Sequence, residues 1–219
     1  MTTTSGSPYT LAQAQSYISN GRLGSRITWK QANPIAYLES DVDAGTETYD
    51  VAVLAHSLWY FQSPTLVIQT LERLAKRVKR VCIAEWSLSS DVAQSHILAV
   101  LTHAALECRK ATSVSNIRTV LTPERIKTYA ETAGLELESD VVFKPTSGIL
   151  DGEWEVGAVL DGGFTKDVEE YVKDEREKCM VLAMRDAVEA SVQRVGGIKN
   201  VVPMDVWCGV FISKARASL

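Results

Sequence analysis

Several features that mark whole classes of proteins are missing from this sequence. No apolar stretch has the length that a membrane-spanning helix requires, and the first seven residues lack the positive and apolar regions of a secretory signal. Basic residues form no stripe and the net charge is -4, which disfavours binding to nucleic acid. These absences predict a cytoplasmic protein that contacts neither membranes nor nucleic acids.

Cysteine is scarce, and its spacing does not match a zinc site. The chain has four cysteines and three histidines, with no C-x-x-C pair and no cysteine–histidine grouping at zinc-ligand spacing. Scattered thiols among apolar neighbours are typical of buried, reduced cysteines. We therefore expect buried free thiols and no metal site.

The composition of the chain is that of one α/β domain. Its 219 residues are 46% hydrophobic and 23% charged, which is ordinary for a globular protein and sufficient for a buried core. We predict a flexible lead over residues 1–7 and a single domain over residues 8–219, without internal repeats.

The clearest local pattern is a β-α-β unit. Two nearly continuous apolar runs, Tyr49–Ala55 and Arg80–Trp86, are typical of parallel strands that helices cover on both faces. Between them a helix should begin at Pro64, because the first turn of a helix tolerates a residue without an N–H. The short connection predicts a right-handed crossover and a largely parallel sheet.

Capping residues and periodicity predict the other elements. One helix should begin after Thr10, and another should begin at Pro123 and end at Gly134. The remaining predictions are a β-rich run over Arg26–Trp29, a helix over Asp91–Arg109, a strand over Leu135–Lys144, a loop over 145–164, a charged helix over Lys166–Arg194 and a strand over Val206–Ser213.

Polar and aromatic side chains follow the two predicted inner strands. The first group comprises His56, Ser57, Trp59 and Tyr60, and the second comprises Glu85 and Trp86. The carboxyl ends of neighbouring parallel strands border one crevice, which is where ligands bind in open α/β sheets. We therefore expect both groups to share one site.

These side chains have both functional and structural interpretations. His56 is a candidate general base or a ligand for a substrate oxygen, or else it only hydrogen-bonds the loop backbone. Trp59 and Tyr60 either line the pocket of an organic substrate or pack a helix start onto the sheet. Both interpretations remain open at this point.

Other titratable residues are assigned by their positions. Glu85 either exchanges protons in the crevice or pairs with an arginine such as Arg109 or Arg118. His96 and His103 lie seven residues apart on one predicted helix face, too far apart to share a metal at one-turn spacing. We expect both histidines to be partly buried above the crevice.

The order of these motifs resembles that of class I S-adenosylmethionine (SAM) methyltransferases. Tyr49–Phe61 is similar to the family's fourth motif, and Lys79–Trp86 is similar to the strand motif that follows it. The helix entry at Thr122, its exit at Gly134 and a terminal β-hairpin match the same architecture. The resemblance implies a Rossmann-like α/β fold, with a mostly parallel sheet and a C-terminal antiparallel hairpin.

The N-terminal region extends this resemblance. Pro8–Gly24 resembles the helix after the second strand in fungal small-molecule methyltransferases, and Arg26–Trp29 resembles their third strand. The implied activity is methyl transfer to a small organic molecule of secondary metabolism.

The resemblance also implies roles for individual residues. The implied SAM-binding positions are Gln31, Ala32, Asn33, Ala55, His56 and Ser57. The family often carries an acid at the place of Asn33. The implied substrate-binding residues are Trp59, Tyr60, Trp86 and His103, with His56 and Glu85 as the catalytic pair. His56 would deprotonate or orient the methyl acceptor, and Glu85 would tune the charge.

One departure from the family pattern concerns its beginning. The family starts with a strand, a glycine-rich turn, a helix and a second strand that ends in an acid, whereas only Ser5-Gly6-Ser7 stands in the corresponding place here. The prediction is therefore a sheet without its first two strands. Its exposed edges would be covered in a homo- or hetero-oligomer, because unpaired edges invite pairing with another chain.

Three hypotheses about function follow. The first is a methyltransferase-like protein with an incomplete SAM site, which acts on a small organic metabolite and is completed by a partner chain. The second is a SAM-independent isomerase, lyase or cyclase on the same fold, because a fold does not determine chemistry. The third is a non-catalytic subunit of a methyltransferase complex, since large unsatisfied surfaces mark interaction sites.

Overall fold

The computed structural model describes residues 9–40 and 49–214, which build an α/β fold around one four-stranded sheet. The strands are β1 (Tyr49–Ala55), β2 (Val78–Trp86), β3 (Leu135–Phe143) and β4 (Val206–Ser213), in the order β1-β2-β4-β3. The helices are α1 (Leu11–Ser19), α2 (Pro34–Ser40), α3 (Pro64–Arg77), α4 (Gln94–Glu107), α5 (Pro123–Thr132), α6 (Asp151–Leu160), α7 (Gly162–Tyr171) and α8 (Glu175–Arg194). The predicted flexible lead, with Ser5-Gly6-Ser7, lies outside the described residues.

The predicted β-α-β unit is confirmed. β1 and β2 pair in parallel, in register from Tyr49 to Ala55 along β1. The hydroxyl of Ser63 accepts a hydrogen bond from the Leu66 N–H and caps α3, and Pro64 follows at the first helical position. Apolar residues at helical spacing then bury one side of α3 against the sheet.

The two C-terminal strands run antiparallel to their neighbours. β4 lies between β2 and β3 and pairs with both. α6, α7 and α8 separate β3 from β4 along the chain, so the predicted terminal hairpin is instead a strand pair joined through helices. The α/β class and the C-terminal antiparallel arrangement are confirmed, and the parallel pairing in the described residues is that of β1 with β2.

One face of the sheet carries the main hydrophobic core. Val81 and Ile83 of β2 and Phe211 of β4 are buried on this face, together with Leu71 of α3 and Ile126 of α5. These residues alternate along their strands because successive side chains point to opposite faces. α3 and α5 therefore shield this side of the sheet from solvent.

The opposite face is apolar but largely exposed in the described part of the chain, and we call it the open face. Val51 and Val53 of β1 are 48% and 68% exposed, and Val141 of β3 is 57% exposed. Cys82 and Val210, between them in the sheet, are partly exposed. β1 also forms one edge of this sheet. Sheets with parallel strands are normally covered on both faces, so the open face resembles an interface.

Helices α4, α6, α7 and α8 form a separate layer with its own apolar core. Leu106 of α4, Val156 of α6, Val168 of α7 and Val188 of α8 are buried together there. The layer contains a segment, residues 145–164, for which the sequence predicted a loop, and that prediction is wrong. Val156, Val159 and Leu160 have helical spacing, and their burial against α4 and α8 outweighs the helix-breaking glycines.

The predicted helix over Lys166–Arg194 is two helices. α7 ends at Tyr171, and the Asp174 carboxylate then accepts hydrogen bonds from the Arg176 and Glu177 N–H groups. This cap starts α8 in a new direction, because an N-cap residue has non-helical backbone angles. Periodicity continues across the break, and so the pattern alone did not reveal it.

The N-terminal segment is partly as predicted. Thr10 and Gln13 form a reciprocal capping box at the start of α1. Arg26–Trp29 is not a strand: Gly24–Arg26 form a short 3-10 helix, and Ile27 to Trp29 pair with no strand of the described residues. A β-rich run becomes a strand only where a neighbour satisfies its backbone groups. The Trp29 indole N–H instead donates to Ser19 Oγ at 2.8 Å.

The cysteines are free thiols, but the expectation that they are buried is wrong. Cys108 and Cys179 are exposed, while Cys82 and Cys208 lie half-buried on the sheet. Both sheet cysteines belong to the open face, because Cys82 pairs with Val210 and Cys208 pairs with Ala84 in the register of β2 and β4. Across the two described segments, no helix combines the length and apolar character of a transmembrane span.

Gly134 at the end of α5 offers a test of this fold. Its φ of +82° lies in the left-handed region, where any residue with a Cβ is strained. Gly134→Ala should therefore lower the free energy of unfolding by about 1 kcal/mol. Gly162→Ala is the matched control, since the Gly162 Cβ position is equally open without a strained φ. Urea unfolding should separate the two variants, and equal losses would contradict the described chain path.

Candidate active site

The candidate site begins where β1 ends. His56 follows Ala55 directly and has a φ of 45°, an uncommon conformation for a residue with a side chain. Its N–H donates to the Ala84 carbonyl at 2.8 Å, which extends the pairing of β1 and β2 by one residue. Its ring packs against Trp86, with 4.5 Å between the ring centroids. Strained residues of this kind are concentrated at functional sites.

Glu85 lies beside His56 in a buried position. Its Oε1 is 3.4 Å from Nδ1 of His56, a close approach without hydrogen-bond geometry. Its Oε2 accepts a hydrogen bond from the Leu58 N–H at 3.2 Å. The side chain of Glu85 is 2% exposed and that of His56 is 40% exposed. The pair therefore combines a fixed carboxylate with an imidazole that solvent or a ligand can reach.

The alternative pairing of Glu85 with an arginine is not observed. Arg109 pairs with Glu177 of α8, and Arg118 donates to the Ser113 carbonyl at 3.2 Å. Both arginines are thus engaged elsewhere, and Glu85 takes its closest contacts from His56 and the backbone.

A cleft of about 60 Å³ opens above this pair. It lies between the strand ends and helices α4 and α6, and its walls combine aromatic, acidic and amide side chains. The lining residues are His56, Trp59, Tyr60, Glu85, Trp86, His96, Val100, Asn116, Ile117, Asp151 and Glu155. Sites for whole organic ligands usually measure about 300 Å³ or more, so this cleft has room for one small chemical group.

The cleft is acidic. Glu85, Asp151 and Glu155 all contribute carboxylates to its wall. The pKa of the Tyr60 hydroxyl is raised, first because burial disfavours the phenolate and then because these three carboxylates repel it. An anionic group entering the cleft would meet the same repulsion.

His96 is fully buried against the cleft and is electrically neutral. Its Nδ1 accepts a hydrogen bond from the Met204 N–H at 3.0 Å, and its ring meets Trp86 edge-on. Burial lowers its pKa to about 4, although the charge of Glu155 acts in the opposite direction. Since Nδ1 is an acceptor in the neutral ring, the proton must be on Nε2.

His103 has the opposite charge state. Burial alone would lower its pKa, but its contacts with Glu107 and Glu155 prevail and raise the pKa to about 9. Nδ1 lies 3.4 Å from Glu155 Oε2, and Nε2 lies 3.7 Å from Glu107 Oε1. Hydrogen bonds from His103, Lys110 and Ser113 outweigh the effect of burial and lower the pKa of Glu107 to about 2. His103 is therefore an imidazolium held between two carboxylates.

The structure brings five of the eleven predicted site residues to the cleft. His56, Trp59, Tyr60, Glu85 and Trp86 meet at the cleft as predicted from the strand ends. Trp59 also has the structural role proposed for it, since its indole N–H donates to the Leu121 carbonyl at 3.1 Å.

Three other predicted positions lie outside the wall of the cleft. His103 stands behind Glu155 and contacts the cleft only through that carboxylate. Ala55 and Ser57 flank His56 along the chain without lining the cleft. The Ser57 hydroxyl is buried and has no hydrogen-bond partner within the part of the chain that the structure describes.

Sequence reasoning missed most of the roof of the cleft: Asp151 and Glu155 lie on α6, and Asn116 and Ile117 lie in the segment before α5. His96 of α4, which the sequence placed above the crevice, also lines the cleft. The helical spacing of Val156, Val159 and Leu160 was a signal for α6. No local signal could have placed its acidic side over β1 and β2.

Comparisons with known proteins bear on this fold and site. The chain is 27% identical to methyltransferase phomM and to methyltransferase phomM' of Diaporthe leptostromiformis, over an alignment of 237 residues that covers 92% of this chain. No family model matches the sequence. Among solved structures, a cyclopropane-fatty-acyl-phospholipid synthase-like protein from Lactobacillus casei has a TM-score of 0.71 at 24% identity, covering 94% of this chain and 70% of that one. The sequence is therefore similar to that of two methyltransferases, and the fold is shared with the Lactobacillus protein.

The chain is shorter than the relatives it matches. It spans 61% of the length of each Diaporthe methyltransferase. The Lactobacillus structure, at 24% identity, supports the fold and not the activity. These similarities leave the cofactor site and the substrate to be argued from the residues themselves.

Three of the implied SAM-binding residues lie away from the cleft. The implied adenine-side residues Gln31, Ala32 and Asn33 are exposed in the loop before α2 and are absent from the cleft wall. Asn33 Oδ1 accepts hydrogen bonds from the Ile35 and Ala36 N–H groups, so it caps α2 instead. In the described segments, no glycine-rich turn faces the cleft, and the cleft is much too small for a nucleoside.

The two histidines of α4 predict opposite effects of pH on stability. His96 has a pKa of about 4 when folded and about 6.5 when unfolded, so the unfolded chain binds more protons between these values. The free energy of unfolding should therefore fall as the pH is lowered from 6.5 to 4. His103 holds its proton up to about pH 9, so its stabilisation is complete below pH 6.5 and is lost as the pH rises to 9.

Urea unfolding across the pH range checks these slopes, each at most about 1.4 kcal/mol per pH unit. His96→Asn should flatten the acid side alone, and His103→Gln should flatten the alkaline side alone. Each variant serves as the control for the other. Unchanged slopes in both variants would contradict the assigned protonation states.

Proposed function

We propose that this chain is the acceptor-binding part of a SAM-dependent methyltransferase that acts on a small organic metabolite. The observation that carries the proposal is the meeting of His56 and Glu85 with aromatic walls at the carboxyl ends of β1 and β2. In open α/β sheets this edge is where ligands bind. The methyltransferase relatives and the shared fold supply the reaction class.

In this proposal His56 accepts the proton of the methyl acceptor, and Glu85 stabilises the protonated His56. Glu85 is held by the Leu58 N–H and faces Nδ1 of His56, which leaves Nε2 available to take a proton from the acceptor. The fixed carboxylate stabilises the imidazolium that results. Trp59 and Trp86 exclude water from the reacting group, which strengthens these electrostatic interactions.

The second part of the proposal is that a further polypeptide segment completes the SAM site, in a homo- or hetero-oligomer. Two observations support it: the small volume of the cleft and the open face with Val51 and Val53. An apolar sheet face of this kind is stable only when another element covers it. The same cover would protect the edge of β1.

A second candidate function is a non-catalytic subunit of a methyltransferase complex. The open face favours it equally, because that face requires a partner whether or not the cleft is used. The two candidates differ in what happens when the cleft is altered and the interface is left intact.

The catalytic proposal is tested by removing the Glu85 charge. The tagged chain is purified with its native partners and incubated with methyl-tritiated SAM and a small-molecule extract of the source organism. Glu85→Gln should lower the rate of label transfer roughly 100-fold, because a neutral amide cannot stabilise the His56 imidazolium. Glu189→Gln is the matched control, since Glu189 pairs with Arg185 on the surface of α8. A Glu85→Gln assembly with full activity would favour the subunit function.

The oligomer proposal is tested on the open face. Val53→Lys places a charge on the open face and should dissociate the purified assembly. Size exclusion with light scattering measures the dissociation. Met180→Lys, at a similarly exposed position on α8, should leave the assembly intact. In calorimetric titration, the assembly should bind SAM with saturation and the separated chain should not. Saturable binding by the isolated monomer would overturn this part of the proposal.

A further inference from the structure

Polar atoms that lack partners come together at the cleft. The buried atoms His56 Nδ1, Ser57 Oγ and His96 Nε2 have no hydrogen-bond partner among the described residues. A buried polar group without a partner costs roughly 1–3 kcal/mol, so such groups are rare in native proteins and require an explanation. Two of the three atoms belong to residues that line the cleft.

Of these three atoms, Nε2 of His96 places the narrowest limits on the kind of ligand group that could bind it. The residue is 0% exposed, and its Nδ1 is already occupied by the Met204 N–H at 3.0 Å. The proton of the neutral ring is therefore on Nε2, which makes this atom a donor and prevents it from accepting. A ligand group that satisfies Nε2 must carry an acceptor atom with a lone pair.

The surrounding charges limit what that acceptor can be. Glu85, Asp151 and Glu155 share the cleft with His96, so a carboxylate or phosphate would be repelled. A hydroxyl group is compatible with both His96 and the carboxylates, because its oxygen can accept a hydrogen bond from an N–H while its proton is donated to a carboxylate. The ring of Trp86, between His56 and His96, offers an apolar surface for the carbon that bears the hydroxyl.

We propose that His96 binds the methyl acceptor, and that its Nε2–H donates a hydrogen bond to an uncharged oxygen, a hydroxyl, on an aromatic or aliphatic ligand. This inference rests on the proposed function for the identity of the ligand as the methyl acceptor. The binding site itself rests only on the cleft. His96 is thus a specificity-determining residue that selects neutral oxygen-bearing groups and discriminates against anionic ones.

Three small probes test the chemistry of the site in the intact chain. Phenol carries a neutral hydroxyl, toluene has the same ring without oxygen, and benzoate carries a negative charge. With ring-labelled histidine, nitrogen–proton NMR should show the His96 Nε2–H signal shifting on saturation with phenol. Toluene and benzoate should leave that signal in place. A shift with benzoate as large as that with phenol would overturn the proposal.

Two substitutions separate the donor from the structural role of the ring. In His96→Asn, the amide oxygen can still accept from the Met204 N–H, while the donor into the cleft is lost. Phenol should then bind about tenfold more weakly, the effect of about one hydrogen bond. In His96→Gln the longer amide restores a donor, and phenol affinity should recover to within about threefold of the original. Equal phenol affinity in the original chain and in His96→Asn would overturn the proposal.

These measurements separate the inference from the proposed function. If phenol binds through His96 but no label is transferred from SAM, the binding site is supported and the methyltransferase function is contradicted. If His96→Asn changes neither kcat nor KM for label transfer, the methyltransferase function is supported and the proposed role of His96 is contradicted.

Discussion

The parallel pairing of β1 with β2 is the constraint on which the cleft depends. Ala55 lies opposite Ala84 in this register, and the next residue of each strand end brings His56 beside Glu85. A shift by one residue would turn the carboxylate to the other face of the sheet, because side chains alternate along a strand. The strained φ of His56 is held by its hydrogen bond to Ala84 and by the Trp86 ring.

The two faces of the sheet have different roles as a result. The face under α3 and α5 contains the core and provides the free energy that holds the register. The open face presents exposed valines on β1 and half-buried cysteines on β2 and β4. The core therefore lies on one face of the sheet, and the other face stays exposed in the described part of the chain.

α4 connects the cleft with the helical layer through two histidines in opposite charge states. His96 hydrogen-bonds a backbone N–H in a desolvated position and stays neutral, whereas His103 lies between Glu107 and Glu155 and stays charged. Desolvation lowers the pKa of His96, whereas the two neighbouring carboxylates raise the pKa of His103. The charged histidine contacts Glu155, and the neutral one lines the same cleft.

Local signals in the sequence were sufficient for most elements and for half of the site. Caps and periodicity placed α3, α5 and β4, because they act within a few residues, and the rule for parallel strand ends brought His56 near Glu85. Apart from His96, the roof of the cleft was decided by the tertiary structure. Asp151 and Glu155 reach the site because burial of the second apolar core lays α6 over the strand ends. Arg26–Trp29 failed as a strand for the same reason, since only packing supplies the neighbour that a strand requires.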